Sequence, residues 1–347
     1  MTDTLVHDAA TRLFGDLATP ALVNAAEAGT WPDSLWHAVE EAGFLDAMIA
    51  DGTPGSLAGL ADAAVILRAA GRHAAPLPIA ETMLARFALH AAGLPVGEGP
   101  LAILPVEPDD TLDIRRSGAG WHLSGRARQV PWARQAGLLV VVAGNVLALV
   151  APDRIDARPG TNLAGEPRDE IACDIALAAD AVAMLPSGID RTVLYRLGAL
   201  CRAAQMAGAL DGAMAMATQY AGDRVQFGRP IGKLQAIQQQ LALLAEQVAA
   251  ADVATASAIE LASGGGDLAF AAAIAKIRCG EAAGKVSEIA HQVHGAIGFT
   301  HEHSLHHLTR RLWSWRDEFG IESDWSVALG RAVAARGPEA LWPLLTA

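Results

Sequence analysis

The sequence predicts a mainly α-helical protein with one central β domain. The expected parts are an N-terminal helical domain over 1–97, a β-barrel or sandwich over 98–187 and a C-terminal four-helix bundle over 188–347. Three observations predict this. First, 52% of the residues are hydrophobic but only 5% are aromatic, so much of the apolar content is alanine, the best helix former. Second, apolar residues recur at helical spacing in both outer parts. Third, the segments between them are short and crowded with breakers.

In the first part, Asp8–Leu17, Pro32–Ala42, Leu57–Gly71 and Pro78–Ala92 read as helices. Gly29, the Gly52–Gly55 run and Pro76 with Pro78 separate them. Leu57, Leu60, Ala64 and Leu67 form one apolar stripe. In the middle, Leu101–Pro105, Trp121–Gly125, Leu138–Ala143, Asn145–Ala151 and Ile171–Leu177 read as strands. Gly144-Asn145 between two apolar runs suits a hairpin turn. Beyond Ile189, long helices are expected over Asp190–Ala221, Lys233–Ser263, Asp267–His294 and Leu305–Ala335, the last broken near Gly320. Gly264–Gly266 ends the second, and Asp267 is placed to cap the third.

Composition excludes several classes of function. The formal charge is −12, from 26 basic and 38 acidic residues, so a dedicated nucleic-acid binder, which needs a basic face, is not expected. A few local arginines and helix N-termini can still hold a small anion. Cys173, Cys201 and Cys279 are odd in number and far apart, which implies neither a disulfide framework nor a zinc site. The N-terminal segment lacks the pattern of an export signal, and no membrane span is expected, so we expect a cytoplasmic location.

Two stretches carry the chemistry. Tyr220–Gln238 contains a tight turn punctuated by Gly228, Pro230 and Gly232, with Arg224 and Gln226 presented at it and a helix starting near Lys233. Arginine beside free backbone N–H groups suits a diphosphate. On spacing alone, the same stretch reads more readily as a helix–helix connection with solvated arginines, since such turns are common in bundles. The second stretch is Gln292–His303, where Gly295 and Gly298 let backbone approach a ligand. Six of the 11 histidines lie between His291 and His307, and His303 and His307 stand at i, i+4. That spacing raises a metal reading, but no matched carboxylate or cysteine accompanies it and no metal site is expected.

Together the two stretches resemble the acyl-CoA dehydrogenase family. Tyr220, Arg224, Gln226, Phe227, Gly228, Pro230, Ile231, Gln235 and Ile237 match one family pattern. Gln292, Gly295, Gly298 and Phe299 match another, with Ala296 in place of a second glycine. The resemblance implies FAD. It implies that Arg224, Gln226, Phe227, Gln235, Gln292, Gly295, Ala296 and Gly298 cradle adenosine and pyrophosphate, reaching across to the flavin of a neighbouring subunit. It also places Val130, Pro131 and Trp132 against the flavin ring, although Gln129 and Pro131 stand where the family has Trp and Thr. Trp132 could equally be a core aromatic. Pro105–Pro108 resembles the family's Thr-Glu-Pro turn without its threonine.

The implied reaction is α,β-dehydrogenation of an acyl-CoA thioester, in which a carboxylate takes the α-proton and the flavin takes the hydride. The implied partners are an acyl-CoA substrate, an electron-transfer flavoprotein or similar acceptor, and further subunits in a dimer or tetramer. The usual base falls on Gly320 and the minority alternative on Gly198, neither of them an acid. Glu318 is then the candidate base by a local shift, with Asp317 as runner-up. Otherwise these acids form a solvated face, and the chain is a short, base-lacking member that works with a longer homologous subunit. A flavin-dependent oxidase, a monooxygenase or a non-catalytic flavoprotein on the same fold is the alternative function.

Overall fold

The computed structural model describes residues 4–104, 107–340, 342 and 343. Pro105 and Val106, which belong to the expected turn, lie outside the described residues. Among the described residues five α-helices come first: α1 (Thr4–Leu17), α2 (Pro20–Glu27), α3 (Asp33–Glu41), α4 (Leu60–Arg72) and α5 (Ile79–Ala91). The sequence reading missed α2, although its start signal is present. The Thr19 hydroxyl accepts from Leu22 N at 3.3 Å, and Pro20 occupies the first turn.

Among the described residues the central part holds eight strands: β1 (Leu101–Leu104), β2 (Thr111–Ser117), β3 (Gly120–Pro131), β4 (Leu138–Ala143), β5 (Val146–Val150), β6 (Asp156–Arg158), β7 (Arg168–Leu177) and β8 (Val182–Met184). They form two four-stranded sheets, β1-β4-β5-β8 and β2-β3-β7-β6. Gly144 and Asn145 make the hairpin between paired Ala143 and Val146, with Gly144 at φ 59°. Leu123, Val130, Val141, Ala148 and Ile171 lie in the core shared by the sheets.

The last part consists of α6 (Arg191–Asp223), the short hairpin β9 (Val225–Gln226) and β10 (Arg229–Pro230), α7 (Gln235–Ser263), α8 (Leu268–His294), α9 (Leu305–Asp317) and α10 (Glu322–Arg336). Asp190 caps α6 through Val193 N, and Asp267 caps α8 through Ala269 N and Phe270 N. Phe319 and Gly320, at φ 54° and 88°, lie in the break between α9 and α10. Helix α4 crosses α6 at backbone contact. A Cβ on Gly71 would lie 2.0 Å from Gln205 O, and one on Gly208 would lie 1.9 Å from Arg68 O. That close crossing fixes the stretch of α6 that carries Arg202. Helix α7 is long and apolar enough to cross a membrane by composition alone, yet Leu244, Val248, Ala251 and Ala258 on it are buried in the protein core.

Candidate functional site

The two motif stretches meet at one end of the bundle. Helices α6 and α8 both end there and α7 begins there, and ring contacts between Tyr220 and His294 tie the ends together. Arg224 leaves α6 and continues into the β9–β10 hairpin, whose tip is Phe227 and Gly228 at φ 52° and 75°. A bulky side chain at positive φ is strained, and such strain concentrates at functional sites. Phe227 is also 88% exposed, so its own chain gives no packing reason for it. Arg224, Gln226, Gln235, Gln292, Gly295 and Ala296 are exposed around the same end, and Phe299 is 75% exposed. Gly295 has φ 62° and ψ −141°, a conformation that calls for glycine. Gly298 is buried, and a Cβ there would lie 2.9 Å from His294 Cβ.

Val130, Pro131 and Trp132 stand differently. All three are buried in the chain's own core. Trp132 meets Trp31 edge-on at 6.1 Å, and its backbone N–H donates to Pro167 O at 3.1 Å. The strand is bulged between Ala127 and Val130, with Gln129 at φ 52°, and the bulge leaves both Ala127 and Val130 in the core shared by the sheets. The side chains expected beside a flavin ring are therefore packed inside the chain. Of the two readings of Trp132, the core aromatic holds.

The region around the two base positions is filled. A Cβ on Gly198 would lie 2.3 Å from the Phe319 ring. One on Gly320 would lie 2.6 Å from Tyr195 Oη and 2.8 Å from Trp325 Nε1. The cavity bounded by Leu84, Ile103, Leu194 and Phe319 has a volume of about 10 Å³, room for one water at most. Behind Phe319 lies a buried ionic network. Glu318, 5% exposed, is gripped by Arg168 at 2.7 Å and by Arg202 at 2.6 Å. Arg202 also pairs with Glu81 at 2.5 Å and faces the Trp315 and Phe319 rings. Glu166 joins Arg168 and Arg311, each at 3.1 Å. Burial alone would raise the Glu166 carboxyl, but Arg311 and Arg168 outweigh it and hold the group down at about 2. Lys276 donates to the carbonyls of Trp315, Arg316 and Glu318, which closes the C-terminal turn of α9.

Glu318 is thus buried rather than a solvated acid, and each of its oxygens is ion-paired to a guanidinium group. Asp317 is exposed at the last residue of α9, its carboxyl shifted upward by burial. Sequence reasoning passed over Glu107. Burial, Asp110, Glu318 and Asp109 push its carboxyl up to about 7. Only its place in the Thr-Glu-Pro-like turn could have flagged it.

Residues 194–316 match the family described as "Acyl-CoA dehydrogenase, C-terminal domain". The chain is 28% identical over 311 residues to acyl-CoA dehydrogenase IpdE2 of Mycobacterium tuberculosis, a match covering 88% of this chain and 89% of that protein. A solved steroid acyl-CoA dehydrogenase, Tcur3481-Tcur3483, superposes with a TM-score of 0.85 at 26% identity, over 96% of this chain and 97% of that one. The ChsE4-ChsE5 complex of M. tuberculosis superposes with a TM-score of 0.85 at 21% identity, which supports the fold alone.

Over residues 194–316 this chain belongs to the acyl-CoA dehydrogenase C-terminal domain family.

FAD is the cofactor of acyl-CoA dehydrogenases, and two parts of its expected site differ in this member. The exposed hairpin and the Gly295 loop fit the adenosine and pyrophosphate half. The residues expected beside the flavin ring do not fit, because they are buried.

The six histidines also lie at this end of the bundle, but they form ring contacts rather than a ligand set. Among the described residues no group of three or more His, Cys, Asp or Glu could hold a metal. His303 precedes α9, so it does not share a helix face with His307, whose Nε2 bonds Asn24 Oδ1 at 2.8 Å. Burial, followed by His306 and Arg311, lowers His307 to about 3. The unfolded chain takes up that proton near the ordinary value of about 6.5, and the folded chain only near 3. The contribution of His307 to stability is therefore complete above about pH 6.5 and lost as pH falls toward 3. Denaturant unfolding across this window should show stability falling with acid, and His307→Gln should flatten the slope.

Proposed function

We propose that this chain is the base-lacking subunit of a two-subunit, FAD-dependent acyl-CoA dehydrogenase. In this reading it supplies the adenosine-side cradle to a flavin whose ring and catalytic carboxylate lie in a longer homologous subunit. The observation that carries it is the filled chamber. Phe319 stands against Gly198, Tyr195 and Trp325 stand against Gly320, and Glu318 is locked between two arginines. The flavin, when bound, accepts the hydride in the family reaction. This chain's residues would hold its distant end: Arg224 beside the pyrophosphate, Phe227 and Phe299 as apolar walls, and Gly295 where backbone must come close.

The outward side of α7 favours a partner subunit. Ala242, Ala249 and Ala256 are exposed along it, with Leu243 45% and Val253 66% exposed, an apolar helix side suited to another helix. The likeness to the two-part steroid acyl-CoA dehydrogenase Tcur3481-Tcur3483 supports both a paired subunit and a bulky acyl-CoA substrate. Electron-transfer flavoprotein remains the proposed acceptor and the cytoplasm the proposed location. The free cysteines Cys173, Cys201 and Cys279 favour a reducing compartment.

The chain expressed alone should be colourless and inactive, and co-expression with its longer homologue should give a yellow complex that acyl-CoA bleaches without oxygen. Stoichiometric flavin in the chain alone, bleached by acyl-CoA, would overturn the reading. Glu107→Gln should leave turnover of the complex unchanged, since a lost base would show as a large fall. Phe227→Ala should leave the melting temperature of the chain within about 1 °C, because an exposed side chain contributes little to folding. The complex should then lose flavin on gel filtration.

A further inference from the structure

We propose that Tyr220, His294 and His303 form an aromatic clasp that holds the two cofactor loops against each other, and that protonating the clasp releases them. The significance of these loops rests on the cradle reading above, but the clasp is built from the chain's own contacts. Tyr220 is in the last turn of α6, where its carbonyl accepts from Arg224 N at 2.8 Å, so it anchors the start of the hairpin. His294 is the last residue of α8, directly before Gly295. His303 lies in the turn entering α9, and its Nδ1 accepts from Leu305 N at 3.2 Å.

The three rings meet pairwise. Tyr220 stacks on His294 at 4.6 Å and 27°, His294 meets His303 edge-on at 4.5 Å, and Tyr220 meets His303 edge-on at 6.3 Å. One cluster therefore touches the segment before the hairpin, the segment before the Gly295 loop and the segment after it. A second stack pins the same loop to α8: Phe299 lies on His291 at 4.6 Å, while His291 Nε2 pairs with the Thr309 hydroxyl at 2.9 Å.

The clasp is built for neutral imidazole. His294 is 3% exposed, and its Nδ1 donates to Ala290 O at 2.7 Å. Its Nε2 is buried without a partner, so a proton added there would create a buried cation with one unpaired N–H. The titratable groups facing it are Tyr220 from α6, His291 from its own helix and His303 from the turn before α9. None of these is a carboxylate that would receive the charge. Burial accordingly lowers His294 and His303 from their ordinary values. Once the rings separate, the loop keeps the Phe299–His291 stack and buried Gly298, and the hairpin keeps buried Ile231, whose N–H donates to Arg224 O at 2.8 Å.

Hydrogen–deuterium exchange of the full chain tests this without flavin. At about pH 7.5 the peptides over 220–232 and 294–304 should be protected, and at about pH 5.5, after correction for intrinsic rates, several-fold less so. Peptides from β3 and the middle of α7 should not change. The His294→Phe/His303→Phe pair keeps the rings and removes the protons, so the loops should stay protected at both values. Tyr220→Ala should expose both loops at either pH. Wild-type loops equally protected at both pH values, or a Phe pair as acid-sensitive as wild type, would overturn the clasp. Should the Phe pair not fold, the wild-type ring resonances decide. His294 and His303 titrating in step with amide shifts of the Gly295 loop support the clasp, and independent titration sinks it. Flavin retained in Phe227→Ala would overturn the cradle reading alone, so the two failures are distinguishable.

Discussion

Replacing Glu318 with alanine should lower the stability of the chain by about 3–5 kcal/mol, the cost of leaving buried charges without their partner. The reason lies in the geometry. Arg168 and Arg202 are 3% and 2% exposed, and Glu318 is the carboxylate they share. Glu81 and Glu166 would each still hold one guanidinium, so the network would be broken rather than abolished. Glu318→Gln keeps the shape and part of the hydrogen bonding, and should cost about 1–3 kcal/mol. Denaturant unfolding of both variants measures the difference. Turnover of the assembled complex per folded molecule should be unchanged in Glu318→Gln. A fall of about 100-fold or more with stability intact would return Glu318 to the role of general base.

The second large effect is expected at Gly198. Adding a single methyl there drives a Cβ to within 2.3 Å of Phe319 in a region with a cavity of only about 10 Å³. Gly198→Ala should cost about 1–3 kcal/mol by overpacking. Phe319→Ala alone should cost about 3–5 kcal/mol, since Phe319 is 3% exposed and packs beside Tyr195. The double variant should cost less than the sum, by about 1 kcal/mol or more, because the added methyl enters the space the ring vacates. Strict additivity would show that Phe319 does not fill the position beside Gly198. Gly198→Glu should abolish folding rather than introduce a base, which would separate this chain from members whose α6-equivalent helix carries one.

These two results bear on what could be read in advance. The two candidate loops were legible because their signals are local. Gly228 and Gly295 adopt positive φ, and the residue types around them recur at fixed spacing. The absence of an acid at Gly198 and Gly320 was legible for the same reason. The state of Glu318 was not. Its partners Arg168 and Arg202 lie in β7 and α6, far away in sequence, and a buried triad carries the same letters as a solvated acidic face. The burial of Val130 and Trp132 was hidden too, because a bulge at Gln129 puts Val130 in the same core as Ala127, and Trp132 packs on Trp31 from a distant part of the sequence. A one-residue register change is invisible to a pattern of alternation.

The sequence by itself therefore determined the helical, β, helical order, the family and the loops that face outward. Periodicity, caps and glycine conformations act over a few residues, and their physics is written in those residues. The tertiary structure alone decided that the chamber is closed. Closure depends on side chains from all three parts of the chain arriving at one place. Glu81 comes from α5, Arg168 from β7, and Arg202, Lys276 and Glu318 from the bundle, and their charges become mutually necessary only once water has been excluded from among them.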